Sequence, residues 1–75
     1  MTNNGDSPKR ERFKRLAQSR TNTVLKKLDV LGNCSNRNAY EYNEEDVEKI
    51  FSAILKKVRE VKTRFTFPEN NEFKL

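Results

Sequence analysis

The chain has 75 residues and a formal net charge of +5, with sixteen Lys and Arg against eleven Asp and Glu. One cysteine, Cys34, and no histidine exclude an internal disulfide and a zinc ligand set, so we expect one small domain that holds no metal or other cofactor. Only 33% of the residues are hydrophobic and no apolar run suits a membrane span or a secretory signal, which predicts a cytoplasmic protein with an acidic partner and no membrane partner.

The first predicted element is a helix over about residues 8–31, after a polar N-terminus, residues 1–6, that we expect to be disordered. Ser7 can cap the first free N–H groups, and Pro8 suits the first helical position. Gly32 should end the helix, because glycine adopts the left-handed conformation without penalty. Apolar or small residues recur at a spacing of three and four and define stripe 1: Phe13, Leu16, Ala17, Thr21, Val24, Leu28 and Leu31.

Residues 32–42 form the predicted loop, in which small polar side chains that hydrogen-bond their own backbone predominate. We favour a structural role for Tyr40 and Tyr42, which would pack near Leu28 and Val47 and fix the entry into the next helix. The loop is long for a helix–helix connection, and long ordered loops are often functional. The alternative is a partner-binding loop that consists of Asn36, Arg37, Tyr40 and Tyr42.

The second predicted helix covers about residues 43–65 and has the strongest start signal in the chain. Asn43 can act as the N-cap, and three carboxylates follow in the first turn, where the helix dipole favours negative charge. The remaining tail, residues 66–75, carries Phe67 and Phe73, which either fold back over the open end of the helices or belong to a disordered segment. Apolar residues at helical spacing define stripe 2: Val47, Ile50, Phe51, Ile54, Val58, Val61 and Phe65.

Two helices with one apolar stripe each predict an all-α fold, an antiparallel two-helix hairpin over residues 7–65. Such helices can bury their stripes only against each other, so the stripe residues should form the core. A lone hairpin would leave part of each stripe exposed. We therefore expect a homodimer that forms a four-helix bundle, or docking of the hairpin on a larger partner.

Positive charge is concentrated in two segments. Residues 7–20, basic segment 1, hold six Lys or Arg and one Glu, a net charge of +5, and residues 56–65, basic segment 2, hold five and one, or +4. The intervening residues 21–55 hold four basic and six acidic side chains, or −2. An antiparallel hairpin would bring the two basic segments together at its open end, where they could contact phosphates. The residues predicted to do so are Arg10, Arg12, Lys14, Arg15, Lys57, Arg59, Lys62 and Arg64.

The alternative is that these charges only solvate the helices and complement their dipoles. Aromatic side chains beside cations can stack on bases, but Phe13, Phe51 and Phe65 lie on the stripes, where we expect packing. Tyr40 and Tyr42 lie at the opposite, acidic end of the predicted hairpin. Stacking on bases is therefore not expected.

Neither catalysis nor metal binding is expected from the polar residues. No histidine is available as a base for Cys34, so the sequence does not predict an enzyme. The carboxylates of residues 44–48 are better explained by helix capping than by metal binding, and no spacing matches a calcium loop or a phosphate-binding glycine loop.

The run LGNCSNRNAYEYNEEDVEKIFSAI, preceded by RFKRLAQSRTNTVLKKL, resembles a pattern in short uncharacterised bacterial proteins, some of them carried by phages or other mobile elements. The resemblance covers residues 10–65 and implies no established activity. In architecture alone, the predicted hairpin is similar to the small dimeric RNA-binding helical hairpins of plasmids.

Three functional hypotheses remain. The first is a small basic regulatory protein that contacts the RNA or DNA backbone with the basic end of the hairpin. The second is a protein-binding module, such as a phage-type inhibitor or an adaptor subunit of a larger protein or ribonucleoprotein machine. The third is a self-assembling bundle without a ligand site.

Overall fold

The computed structural model describes residues 7–68, 73 and 75. Over these residues the chain forms two α-helices and no strand: α1 is Pro8–Gly32 and α2 is Glu44–Lys62. A 3₁₀ turn, Asn33–Ser35, follows α1 directly. The chain divides into two units, Met1–Tyr40 and Glu41–Leu75, and each is built on one of the helices. The prediction of two helices in an all-α chain is confirmed, whereas the predicted disorder of residues 1–6 lies outside the described residues.

The start of α1 is fixed by its cap. The Ser7 side-chain oxygen accepts a hydrogen bond from the Arg10 N–H at 3.1 Å, and the Ser7 carbonyl accepts one from the Glu11 N–H at 3.0 Å. Pro8 occupies the first helical position, where its missing N–H costs nothing. Both start signals predicted from the sequence are therefore confirmed.

The end of α1 lies within one residue of the prediction but differs from it in conformation. Gly32 has φ −59° and ψ −23° and stays in the right-handed region, so the predicted left-handed stop at this residue is wrong. The chain continues through Asn33, also right-handed, whose N–H donates to the Val30 carbonyl. Tighter bonds of the 3₁₀ type can satisfy the last helical carbonyls, so no left-handed residue is needed there.

The start of α2 is a reciprocal capping box. The Asn43 side-chain oxygen accepts from the Asp46 N–H at 2.8 Å, and the Asp46 carboxylate accepts from the Asn43 N–H at 3.0 Å. Two of the free N–H groups at this helix end are thereby satisfied. Asn43 is confirmed as the N-cap.

The end of α2 comes at Lys62, three residues before the predicted end at residue 65. The Thr63 hydroxyl donates to the Glu60 carbonyl at 2.6 Å, and the Arg64 N–H donates to the Val61 carbonyl at 3.0 Å. A threonine hydroxyl that takes a nearby carbonyl competes with the regular helical bond. At this point the backbone hydrogen bonds change to the tighter 3₁₀ type and the helix ends.

The described residues are at most half-buried, and no side chain of residues 7–68, 73 and 75 is fully buried. The expectation that the two stripes form a core between the helices stays a prediction. Within one helix an apolar side chain can be sheltered only by neighbours about one turn away. The half-buried positions are Leu16, Ala17 and Leu31 in α1, Val47, Ile54 and Val61 in α2, and Tyr42 before α2.

The half-buried residues of α2 are spaced seven residues apart and mark the centre of stripe 2. Val47, Ile54 and Val61 fall within a narrow angular range when the helix is viewed along its axis. Of the two helices, α2 is also the more strongly amphipathic. Neither helix, over the residues described, has the length and apolar character needed to cross a membrane.

Candidate functional site

Basic segment 1 forms an exposed cationic surface on the first turns of α1. At about 100° per residue, Arg12 and Arg15 lie on the side of α1 opposite stripe 1. The Arg10 guanidinium lies over the Phe13 ring, with its carbon 5.8 Å from the ring centroid. The four residues predicted to contact phosphates, Arg10, Arg12, Lys14 and Arg15, are all exposed.

Two of these cations contact other side chains of α1: Lys14 contacts an acidic residue and Arg10 contacts an aromatic ring. The Lys14 ammonium lies 3.7 Å from the Glu11 carboxylate, one turn away. Exposed pairs of this kind contribute little stability and are screened by salt. The contact of Arg10 with Phe13 is a cation–π interaction, which also shields one face of that ring. Arg12 and Arg15 are therefore the residues of this segment best placed to meet a phosphate from solvent.

Basic segment 2 occupies the end of α2. Lys57, Arg59 and Lys62 belong to the helix and Arg64 to the turn that follows it, and all four are exposed. The Lys57 ammonium pairs with the Glu60 carboxylate at 3.0 Å. Arg59 and Lys62 lie in the last turn, where cations complement the negative end of the helix dipole. The structure thus gathers the four residues within about two turns of chain.

Each of the two units contains four of the eight cations that were predicted to contact phosphates. Basic segment 1 belongs to Met1–Tyr40 and basic segment 2 to Glu41–Leu75. The predicted meeting of the two segments at one end of a hairpin stays a prediction.

Sequence reasoning missed two exposed aromatic residues beside basic segment 2. Phe65 was assigned to the packing of stripe 2 and Phe67 to the tail, yet both side chains are largely exposed. The signal was present in the run KTRFTF, residues 62–67, in which two cations are followed by two aromatic rings. Periodicity alone favoured packing, because the helix was expected to continue to residue 65.

The loop residue Asn36 organises a polar turn. Its side-chain oxygen accepts from the Asn38 N–H at 3.0 Å, and its carbonyl accepts from the N–H groups of Ala39 and Tyr40 at 3.1 and 2.9 Å. This is the local hydrogen bonding expected of asparagine in turns. Asn36 therefore has a structural role, while Arg37 and Tyr40 are exposed, Tyr40 to 54%.

Tyr42 belongs to the other unit and lies directly before the cap of α2. Tyr42 precedes Asn43, and Val47 is the fourth residue of the helix, which are the two positions of a hydrophobic staple. Both side chains are half-buried. This partial burial supports the structural role that we favoured for Tyr42 over partner binding.

Two further features of the described residues are an exposed cysteine and a shallow depression on α1. Cys34 is exposed in the 3₁₀ turn. Among the residues that the structure describes, no cluster of three or more Cys, His, Asp or Glu is placed to hold a metal ion. A shallow depression on α1 is lined by polar and charged residues and is open to solvent, unlike the concave, mostly apolar sites that bind small ligands. Its lining residues are Glu11, Lys14, Arg15, Gln18, Ser19 and Asn22.

No protein-family model, curated protein or solved structure matches the chain. The resemblance of residues 10–65 to short bacterial proteins stays a prediction. What the chain itself offers is two exposed basic segments and one ordered polar turn.

Proposed function

We propose that the protein is a small nucleic-acid-associated regulatory protein, which contacts RNA or DNA phosphates through its two basic segments. The observation that carries this proposal is the concentration of exposed cations. Basic segments 1 and 2 have net charges of +5 and +4, although the whole chain has only +5. Cations grouped in this way displace the counterions of a polynucleotide, which drives association.

The chemistry of the cations fits phosphate. Arg12, Arg15 and Arg59 are exposed guanidinium groups, which can donate two parallel hydrogen bonds to one phosphate. Contacts of this type position a protein on nucleic acid and carry no sequence information. The proposal is therefore of binding with little sequence preference.

We also propose the assembly that the sequence predicts, in which α1 and α2 pair as an antiparallel hairpin and two hairpins form a four-helix bundle. The partly exposed apolar side chains of stripe 1 and stripe 2 support it, because they leave area available for helix packing. The seven-residue spacing of Val47, Ile54 and Val61 is typical of residues that face another helix. Such a bundle would place both basic segments at its ends and leave their cations accessible.

The test measures binding of labelled RNA and DNA by fluorescence anisotropy as salt is raised from about 50 to 200 mM. Wild-type affinity should fall steeply with salt. A triple variant, Arg12→Glu, Arg15→Glu and Arg59→Glu, should lose most of its low-salt affinity. If three phosphate contacts are lost, the slope of log K against log salt should become shallower by about 2 to 3.

The matched control reverses three cations outside the basic segments: Lys26→Glu, Lys27→Glu and Lys49→Glu. It has the same net charge as the triple variant, so it separates local contacts from a general charge effect. It should keep more affinity than the triple variant. The proposal fails if the control loses as much affinity, or if the wild-type protein binds no polynucleotide at low salt.

The polar turn supports a second candidate, a protein-binding module such as an inhibitor or an adaptor subunit. Asn36 holds the turn through three hydrogen bonds and leaves Arg37 and Tyr40 exposed. For this function, Arg37→Glu with Tyr40→Ala should abolish retention of a partner protein after nuclease treatment and leave helicity unchanged. Asn38→Ala is the control within the same turn. Partner retention by the double variant would contradict this candidate.

A further inference from the structure

Residues 62–67, here called the basic–aromatic segment, follow directly from the end of α2. The segment reads KTRFTF and contains Lys62, Arg64, Phe65 and Phe67. Lys62 is the last residue of α2, Arg64 lies in the turn, and the two phenylalanines come after it in chain without regular secondary structure. Two cations are therefore followed by two aromatic rings within six residues.

Both rings of the segment are open to solvent. Phe65 is 56% exposed and Phe67 is 80% exposed. Removing the face of an aromatic ring from water is energetically favourable, and a flat nucleobase can cover that face by stacking on it. By contrast, the Phe13 ring of basic segment 1 already has the Arg10 guanidinium over it.

Hydrogen bonds at the helix end hold the first part of the segment in place. The Arg64 N–H donates to the Val61 carbonyl at 3.0 Å, and the Phe65 N–H donates to the Lys62 carbonyl at 3.1 Å. The cations and the first ring are therefore attached to an ordered backbone. Ordering of these residues before binding reduces the entropy lost when a ligand is bound.

The position of Phe67 favours a role in ligand binding over a role in helix packing. Phe65 continues the spacing of stripe 2 and can serve either purpose. Phe67 lies five residues beyond the end of α2, so helical periodicity gives it no place on the stripe. An exposed ring at this position, two residues from Phe65 and three from Arg64, fits base stacking better than a helical core.

We propose that the basic–aromatic segment binds single-stranded nucleic acid, with Phe65 and Phe67 stacking on bases while Lys62 and Arg64 contact the adjoining phosphates. The inference rests on the proposed function and names its substrate class. Stacking requires bases whose faces are accessible, and these are present in single strands and absent inside a duplex. Cations alone would bind both forms.

The experiment uses the full chain with four labelled probes: an RNA and a DNA single strand of about 20 nucleotides, and a duplex of each with the same length. Phe67→Leu keeps an apolar side chain of similar size and removes the aromatic face. It should weaken binding to at least one single-stranded probe by about 5- to 100-fold and leave duplex binding unchanged. A loss confined to RNA or to DNA identifies the strand that the segment prefers.

Phe73→Leu is the matched control. Phe73 is as exposed as Phe67, at 80%, but it follows Glu72 in the sequence and lies outside the basic–aromatic segment. It should bind every probe as the wild-type protein does. Helicity measured by circular dichroism should be unchanged in both variants, because neither residue belongs to a helix.

A direct readout of stacking comes from Phe67→Trp. The chain contains no tryptophan, so the new indole would be its only one. Its fluorescence should be quenched by the single-stranded probe that loses affinity in Phe67→Leu, and not by the duplexes. Unquenched fluorescence, or equal effects of Phe67→Leu and Phe73→Leu, would overturn the inference.

The outcomes separate this inference from the proposed function. If the wild-type protein binds none of the four probes at low salt, the proposed function itself fails. If it binds single strands and duplexes alike and Phe67→Leu has no effect, phosphate binding stands and the assignment of the basic–aromatic segment is wrong.

Discussion

At the scale of single residues, Asn43 and Asp46 determine where α2 begins. Each side chain accepts a hydrogen bond from the other residue's backbone N–H, at 2.8 and 3.0 Å. The Asp46 carboxylate also lies in the first turn, where the helix dipole favours it. Because no described side chain is buried, local bonds of this kind carry a larger share of helix stability than they would beside a packed core.

Replacement of the cap should therefore have a measurable effect. Asn43→Ala removes the acceptor of the Asp46 N–H and should cost about 1 kcal/mol of helix stability. Asn43→Asp keeps a side-chain oxygen at the cap and should cost much less. Thermal unfolding of the full chain followed by circular dichroism measures both. Equal stability of the alanine variant and the wild-type protein would contradict the role assigned to the capping box.

At the scale of the elements, both helix starts and the position of the α1 end were predictable, whereas the end of α2 was not. Ser7, Pro8 and Asn43 act on N–H groups within one turn, so short sequence patterns identify them. Gly32 does end α1, although in the right-handed conformation. α2 ends three residues before the predicted end, where hydrogen bonds of the 3₁₀ type begin, and helical periodicity does not show where that change occurs.

Some features of the candidate site were also predictable from the sequence, and others were not. The angular positions of Arg12 and Arg15 follow from helical periodicity, and their exposure agrees with it. The exposure of Phe65 and Phe67 was not predicted, because periodicity extended α2 to residue 65 and placed Phe65 on stripe 2. The sequence predicted a polar turn around Asn36. It did not predict that the Asn36 side chain would accept a hydrogen bond from the Asn38 N–H within that turn.

A substitution at Gly32 tests the observed end of α1. Gly32 is right-handed, and a Cβ atom added there would have no heavy-atom neighbour within 4 Å. Gly32→Ala should therefore increase helicity and stabilise the chain by up to about 1 kcal/mol. In a left-handed glycine the same change would be destabilising, so the sign of the change in unfolding free energy distinguishes the two conformations.

At the scale of the whole molecule, stability is expected to depend on association. No residue of the described chain is buried, and large apolar side chains of both stripes remain partly exposed. A small chain is stabilised when this apolar area is covered, either by its own second helix or by another protein surface. Association of copies would make the unfolding midpoint depend on protein concentration.

Two adjacent residues of α2 test this dependence. Ile54 lies at the centre of stripe 2 and is half-buried, whereas Leu55 lies at its edge and is 54% exposed. Ile54→Asn should abolish self-association in sedimentation experiments and remove the concentration dependence of the midpoint. Leu55→Asn introduces the same side chain at the edge of the stripe and should change either property much less. Similar behaviour of the two variants would argue against packing through stripe 2.

The seven-residue spacing of Val47, Ile54 and Val61 also favours one handedness in an assembly that uses these residues. On a straight α-helix, side chains seven residues apart drift by about 20° around the axis. A neighbouring helix that stays in contact with all three must follow this drift, so the two helices would coil around each other with a left-handed twist.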